Sequence, residues 1–205
     1  MSNLPELTPG YAQVPSGHIA SVVTFLEMTS PPEPRGAVRE PVPYRLERMR
    51  AADLTRYRDL FRAVGAPWLW FSRLRLSPEA LALVLGDADV EAYAVCEGAQ
   101  DIGLLELDFR VPDECELAYF GLVADRVGQG LGRGLMREVL ARAWHRPIRR
   151  LHVHTCTLDH PQALAFYQRA GFTPYRRAVE VAPDPRLTGD LPRTAGAQVP
   201  LLADH

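Results

Sequence analysis

Gly128, Gly130, Gly132 and Gly134 recur at every second position, between an apolar run that ends at Val123 and a helical pattern that opens at Gly130. Glycines let successive backbone N–H groups converge without interference from a Cβ, and a helix N-terminus adds its partial positive charge. Together these features suit phosphate groups. A nucleoside-triphosphate loop is excluded, because it needs Gly-x-x-x-x-Gly-Lys-Ser/Thr and the chain contains no lysine. A dinucleotide fingerprint needs Gly-x-Gly-x-x-Gly, and the spacing misses it. Taken alone, the glycines are equally consistent with a tight strand-to-helix turn.

Other side chains could do chemistry. Glu116 heads a predicted strand on which residues 116, 118, 120 and 122 should share one face. Glu106 and Asp108 share a face of the preceding strand, and Glu114 lies close by. A carboxylate here could take a proton from an incoming nucleophile, or could be a solvated edge residue. His152, His154 and Cys156 alternate along one strand, with His160 near in sequence. That set could hold zinc, but ordinary packed His and Cys are commoner on a half-buried strand, and no metal is expected. Trp68-Leu69-Trp70-Phe71 either walls an apolar or cationic ligand or anchors its loop to the core; the second is expected for at least two of its aromatics. Arg149-Arg150 and Arg176-Arg177 read as solvated pairs.

The elements that must position these residues alternate between helix and strand, an α/β order. Strands are predicted at Tyr44–Met49, Glu91–Glu97, Asp101–Phe109, Cys115–Val123, Leu151–Leu158 and Tyr175–Val181. Helices are predicted at Ala51–Val64, from Ser77-Pro78-Glu79 into Ala80–Leu85, at Gly130–Trp144, and at Pro161–Ala170 closed by Gly171. The 18 prolines crowd both ends. They define an arm over 1–43, a domain over 44–181 and an extended strap over 182–205. Within the first arm, His18–Met28 is apolar and β-branched enough for a strand, expected at a sheet edge or on a partner subunit. The ends are expected to shape a ligand-acceptor side or a dimer contact.

With 23 Lys+Arg against 25 Asp+Glu, the net charge of -2 argues against bulk electrostatic binding of nucleic acid. The longest apolar runs fall far short of the roughly 20 residues of a membrane-spanning helix. No secretory signal opens the chain, and three cysteines are too few for a disulfide framework. A cytoplasmic protein is expected.

The run Val127-Gly128-Gln129-Gly130-Leu131-Gly132, followed by Arg133, resembles the pyrophosphate loop of the GNAT superfamily of N-acetyltransferases. The resemblance continues through Leu151–Leu158 to His160-Pro161-Gln162-Ala163-Leu164-Ala165-Phe166-Tyr167, with Gly171-Phe172 after it. It covers about residues 115–175 and looks like an uncharacterised bacterial branch. Val127 stands where the family has Arg or Gln, and His160 where it has Asn.

The resemblance implies a mixed, mostly antiparallel sheet with helices on both faces, splayed fourth and fifth strands, and here an extra N-terminal strand. It implies acetyl-CoA as cosubstrate, held by Gly128, Gln129, Gly130, Gly132, Arg133 and His160, with Leu122 and Val123 beside the pantetheine arm. It implies Tyr167 as the acid for the departing thiolate, and Glu116 or a water relay as the base. The aromatic run 68–71 would help wall the acceptor site. The implied reaction is direct acetyl transfer to a primary amine in a ternary complex, with a homodimer possible. Cys156 is a minor candidate for a covalent route. A non-catalytic acyl-CoA-binding or regulatory module, or a structural protein assembled through its arms, are the competing classes.

Overall fold

A computed structural model describes residues 7–32 and 42–202. In chain order the elements are β1 (His18–Met28), β2 (Arg45–Met49), α1 (Leu54–Gly65), α2 (Pro78–Gly86), β3 (Val90–Glu97), β4 (Gln100–Asp108) and β5 (Glu114–Leu122). They continue with α3 (Leu131–Ala143), β6 (Arg150–Cys156), α4 (Ala163–Ala170) and β7 (Thr173–Pro183). Local chemistry accounts for the helix starts. The Ser77 hydroxyl accepts from the Ala80 N–H at 3.2 Å with Pro78 in the first turn. Gly130 enters α3 from a left-handed conformation (φ 82°) that favours glycine.

The strands form one sheet in the order β2-β3-β4-β5-β6-β1-β7. Every neighbouring pair is antiparallel except β5–β6. One face buries Leu135, Met136, Val139 and Tyr167 of α3 and α4 against Leu26, Leu105, Leu117 and Val153. The other buries Tyr57, Phe61, Val64, Leu81 and Leu85 of α1 and α2 against Ala92, Ala94 and Leu104. The sheet is thus mixed, mostly antiparallel and covered by helices on both faces. None of the described helices is long and apolar enough to cross a membrane.

Two expectations about the ends are corrected. Strand 18–28 does not sit at an edge or await a partner subunit: β1 lies inside the sheet, antiparallel to both β6 and β7. Its side chains explain this, because Ile19 and Val23 are buried on one face and Leu26 and Met28 on the other. A strand apolar on both faces is best satisfied where both faces and both edges are covered. The C-terminal segment is not an extended strap either. Residues 184–200 run through successive turns around the buried Arg186, which binds Asp184 at 2.7 Å and the Val199 carbonyl at 2.8 Å. A buried guanidinium needs its donors satisfied, and the turns converge carbonyls on it. The Asp184-Pro185-Arg186 turn is thus held by a buried charge pair.

Candidate active site

The parallel β5–β6 ladder lasts only from Glu114↔Arg150 to Glu116↔His152. Beyond it the two strands separate, which is the expected splay, displaced by one in strand number because β1 precedes it. A cleft of about 760 Å³ occupies the gap. The Val123 N–H donates to the Ile102 carbonyl on β4 at 3.0 Å. Backbone groups alternate sides along a strand, so those of Leu122 and Phe120 point into the gap. Val123, with its own N–H spent on β4, is not among the cleft-lining residues.

At one end the cleft meets the glycine loop. Gly128 (φ 84°) and Gly130 (φ 82°) hold left-handed conformations that favour glycine, and both line the opening. Between the Val127 N–H, bound to Ala124, and the Arg133 N–H, bound to Gly130, no amide has a backbone acceptor among the described residues. Gly132 and Arg133 line the same opening. Arg133 has no ion-pair partner among the described residues, so its charge is available there. The Gln129 side chain is spent on the loop itself, donating to the Asp125 carbonyl at 2.7 Å. Unpaired amides at the start of a 13-residue helix, beside a free arginine, fit a pyrophosphate.

Tyr167 lines the cleft from α4. Its ring packs on Phe120, Phe166 and Phe172, with centroids at 6.3, 5.7 and 5.9 Å. Its hydroxyl makes no hydrogen bond among the described residues. Burial, helped by the nearby Asp159 carboxylate, pushes the phenol above its usual range. It is therefore a protonated donor at neutral pH.

The single-face reading of β5 is corrected by a bulge. Glu106 pairs with Tyr119 but Leu107 pairs with Leu117, which leaves Ala118 unpaired. One extra residue inverts the alternation. Cys115 and Leu117 therefore share the α3–α4 face with Phe120 and Leu122, while Glu116 falls on the opposite face with Tyr119 and Gly121. Glu116 is not among the cleft-lining residues. Its carboxylate lies 3.4 Å from Nδ1 of His154, and His154 does line the cleft. The contact with His154 holds Glu116 below the ordinary carboxylate value, and the same contact raises His154.

The backup carboxylates have other partners. Glu106 is fully buried and accepts from the Tyr57 hydroxyl and, at 2.6 Å, from Arg73. Asp108 binds Arg110, and Glu114 binds Arg150. Burial pushes the Cys156 thiol up, which disfavours a thiolate nucleophile. His152, held below its ordinary value chiefly by burial, points with His154 and Cys156 to one face as expected. Among the described residues no group of three His, Cys, Asp or Glu could hold a metal ion.

The aromatic run forms the facing wall. Trp70 packs on Phe61 and Tyr119, and Gly121 has no room for a Cβ, which would lie 2.5 Å from Val64 and 3.3 Å from Trp70. Trp68 meets His160 edge-on at 5.3 Å, at the cleft mouth. Phe71 lies under the Arg75 guanidinium, which is tied to Asp190 in the C-terminal turns. Two of the three aromatics thus anchor the loop.

Asp159 had no role in the sequence reading, yet it joins the two walls. One oxygen accepts from the Trp70 indole at 3.1 Å, and the other from Thr155 and the Cys156 N–H, each at 2.8 Å. An aspartate ending a strand before His-Pro signals a turn, but not its partner 89 residues away.

The chain belongs to the GNAT acetyltransferase family, whose model matches residues 53–172. No curated protein matches the sequence. Among solved structures it is similar to a functionally unknown conserved protein from Staphylococcus epidermidis (15% identity, 82% of this chain and 64% of that one, TM-score 0.52). A GCN5-related N-acetyltransferase from Sphaerobacter thermophilus is also similar (15% identity, 81% and 53%, TM-score 0.57). So is an aminoglycoside acetyltransferase from an uncultured soil metagenomic sample (16% identity, 62% and 87%, TM-score 0.52). The chain spans less than two thirds of the length of the first two. These similarities establish the fold, and membership of the family supports acyl transfer in general.

Proposed function

We propose that this protein is an N-acetyltransferase that moves the acetyl group of acetyl-CoA to a primary amine by direct attack. The observation that carries this reading is the coincidence, in one cleft, of outward Leu122 backbone groups, unpaired glycine-loop amides and the free hydroxyl of Tyr167. In this reading the amides from Gly128 to Gly132, with Arg133, bind the pyrophosphate. The backbone of Leu122 pairs with the pantetheine arm, Val123 flanks it, and His160 borders the cofactor at the mouth.

The amine nitrogen attacks the thioester carbonyl, the new C–N bond forms and the C–S bond breaks. Tyr167 gives its proton to the departing thiolate. The proton lost by the amine goes to His154, directly or through water, with Glu116 as the positioning residue that stabilises the imidazolium. In this reading Glu116 is not itself the base, and acts on the cleft only through His154. The departures at Val127 and His160 leave the backbone grip unchanged.

The test is release of free thiol from acetyl-CoA with a panel of amines. Turnover with an amine, lowered about 100-fold or more in Tyr167→Phe with CoA binding retained, is expected. Tight CoA binding without turnover on any amine would instead identify a non-catalytic acyl-CoA-binding module, and no CoA binding would leave a structural protein.

A further inference from the structure

We propose that the outer edge of β7 is the interface for a second copy of this chain, joined antiparallel about Ala178 so that the sheet runs on from one protomer into the other. β7 is the last strand in the sheet, and among the described residues no other strand pairs with its outer edge. It is exposed on both faces along nearly its whole length. Val179 and Val181 keep 43% and 48% of their surface in water beside Val22 of β1 at 44%. A long unpaired edge carrying β-branched residues is a template for another strand.

The backbone fixes which groups are free. Val22 directs both its N–H and its carbonyl to Thr157, beyond β6. Alternation then directs Ser21 and Val23 to their β7 partners Glu180 and Ala178. Arg177, Val179 and Val181 are left with N–H and carbonyl groups facing outward. Two copies of one antiparallel strand can face each other only in registers that match such residues with their like, so the strand shifts in steps of two.

Charge then selects among these registers. Centred on Arg176, Arg177 or Glu180, the pairing sets identical charges opposite each other. Centred on Val179, it leaves Arg176 and Glu180 opposite alanines, Ala182 and Ala178. Centred on Ala178, it pairs the regular stretch Arg176–Glu180 that follows the bulge at Tyr175. It also sets Arg176 against the partner's Glu180, twice by symmetry, in non-hydrogen-bonded positions where side chains approach most closely. Neither Arg176 nor Glu180 has an ion-pair partner among the described residues; Arg176 only covers the Phe25 ring at 4.1 Å. Pro174 and Pro183 end the ladder, which favours a closed pair over further growth. Glu180 also lines the cleft and its charge raises His154, so the partner's Arg176 would bear on the cleft mouth.

The test is the mass in solution, by light scattering and sedimentation, at micromolar concentrations. The wild-type chain is expected to be a dimer. Glu180→Arg and Arg176→Glu should each weaken it about tenfold or more, and the doubly exchanged chain should recover it. Val179→Pro removes an outward N–H without touching the β1 ladder and should give a folded monomer, checked by circular dichroism. A monomeric wild-type chain overturns the proposal, including the case in which another part of the same chain covers the edge. A dimer that neither reversal nor Val179→Pro weakens also overturns it, as does a failure of the exchanged pair to restore what both single reversals lose.

Discussion

Replacing Glu106 by leucine should destabilise the protein more than any exposed carboxylate change, and the structure sets the size. Glu106 is fully buried and Arg73 is 16% exposed, with 2.6 Å between their charged atoms. Tyr57 adds a second donor to the same carboxylate. The Arg73 Nε has no partner, so this guanidinium depends on Glu106 alone for its ion pair. Removing one member of a buried pair costs about 3–5 kcal/mol, because the remaining charge stays in a medium that solvates it poorly. At about 2–4 °C per kcal/mol for a chain of this size, the melting temperature should fall by about 6–20 °C.

Urea denaturation followed by tryptophan fluorescence measures the loss directly. Arg73→Met combined with Glu106→Leu should recover at least half of it, since a buried pair replaced by apolar residues is often nearly neutral. The reasoning would be refuted by a Glu106→Leu protein within about 1 kcal/mol of the wild type. A double variant no more stable than the single one would refute it too. The same pair holds the wall of the cleft, because Arg73 covers the Tyr119 ring at 5.0 Å and its neighbour Ser72 bonds the Tyr119 hydroxyl.

Two further outcomes are expected. Gly130→Ala forces a side chain into φ 82°, costing about 1–2 kcal/mol of local conformation, and should raise the dissociation constant for CoA about tenfold; calorimetry showing equal affinity would discard the amide cradle. The Glu116–His154 pair should leave a signature in pH. Raised above its ordinary 6.5, His154 contributes stability that is complete below that value and lost as pH rises through its folded value. Held below its ordinary 4.5, Glu116 contributes stability present above that value and lost as pH falls through its folded value. The pair is therefore fully stabilising from about pH 4.5 to 6.5, and an NMR titration in which Glu116→Gln leaves the His154 midpoint in place would remove the coupling.

The glycine spacing, the helix caps and the Tyr167–Gly171 interval are local facts, set by backbone freedom and by the 3.6-residue turn. They were legible in the sequence, and they led to the family and to the proposed cofactor site. Strand positions were legible for the same reason, since alternation of apolar residues is a property of each segment alone. The place of β1 was not, because its two apolar faces say that it is buried without saying between which neighbours. Nor was the inversion at Ala118, which arises when two strands with one residue of mismatch are forced to pair. That mismatch took Glu116 off the face its number assigned to it and set it against His154. Asp159 and Trp70, and Arg73 and Glu106, meet only once the chain has closed loops of many residues. The sequence by itself therefore determined the local elements and the family, while the tertiary structure decided which side chains face the cleft, because facing depends on register and register is settled only between strands.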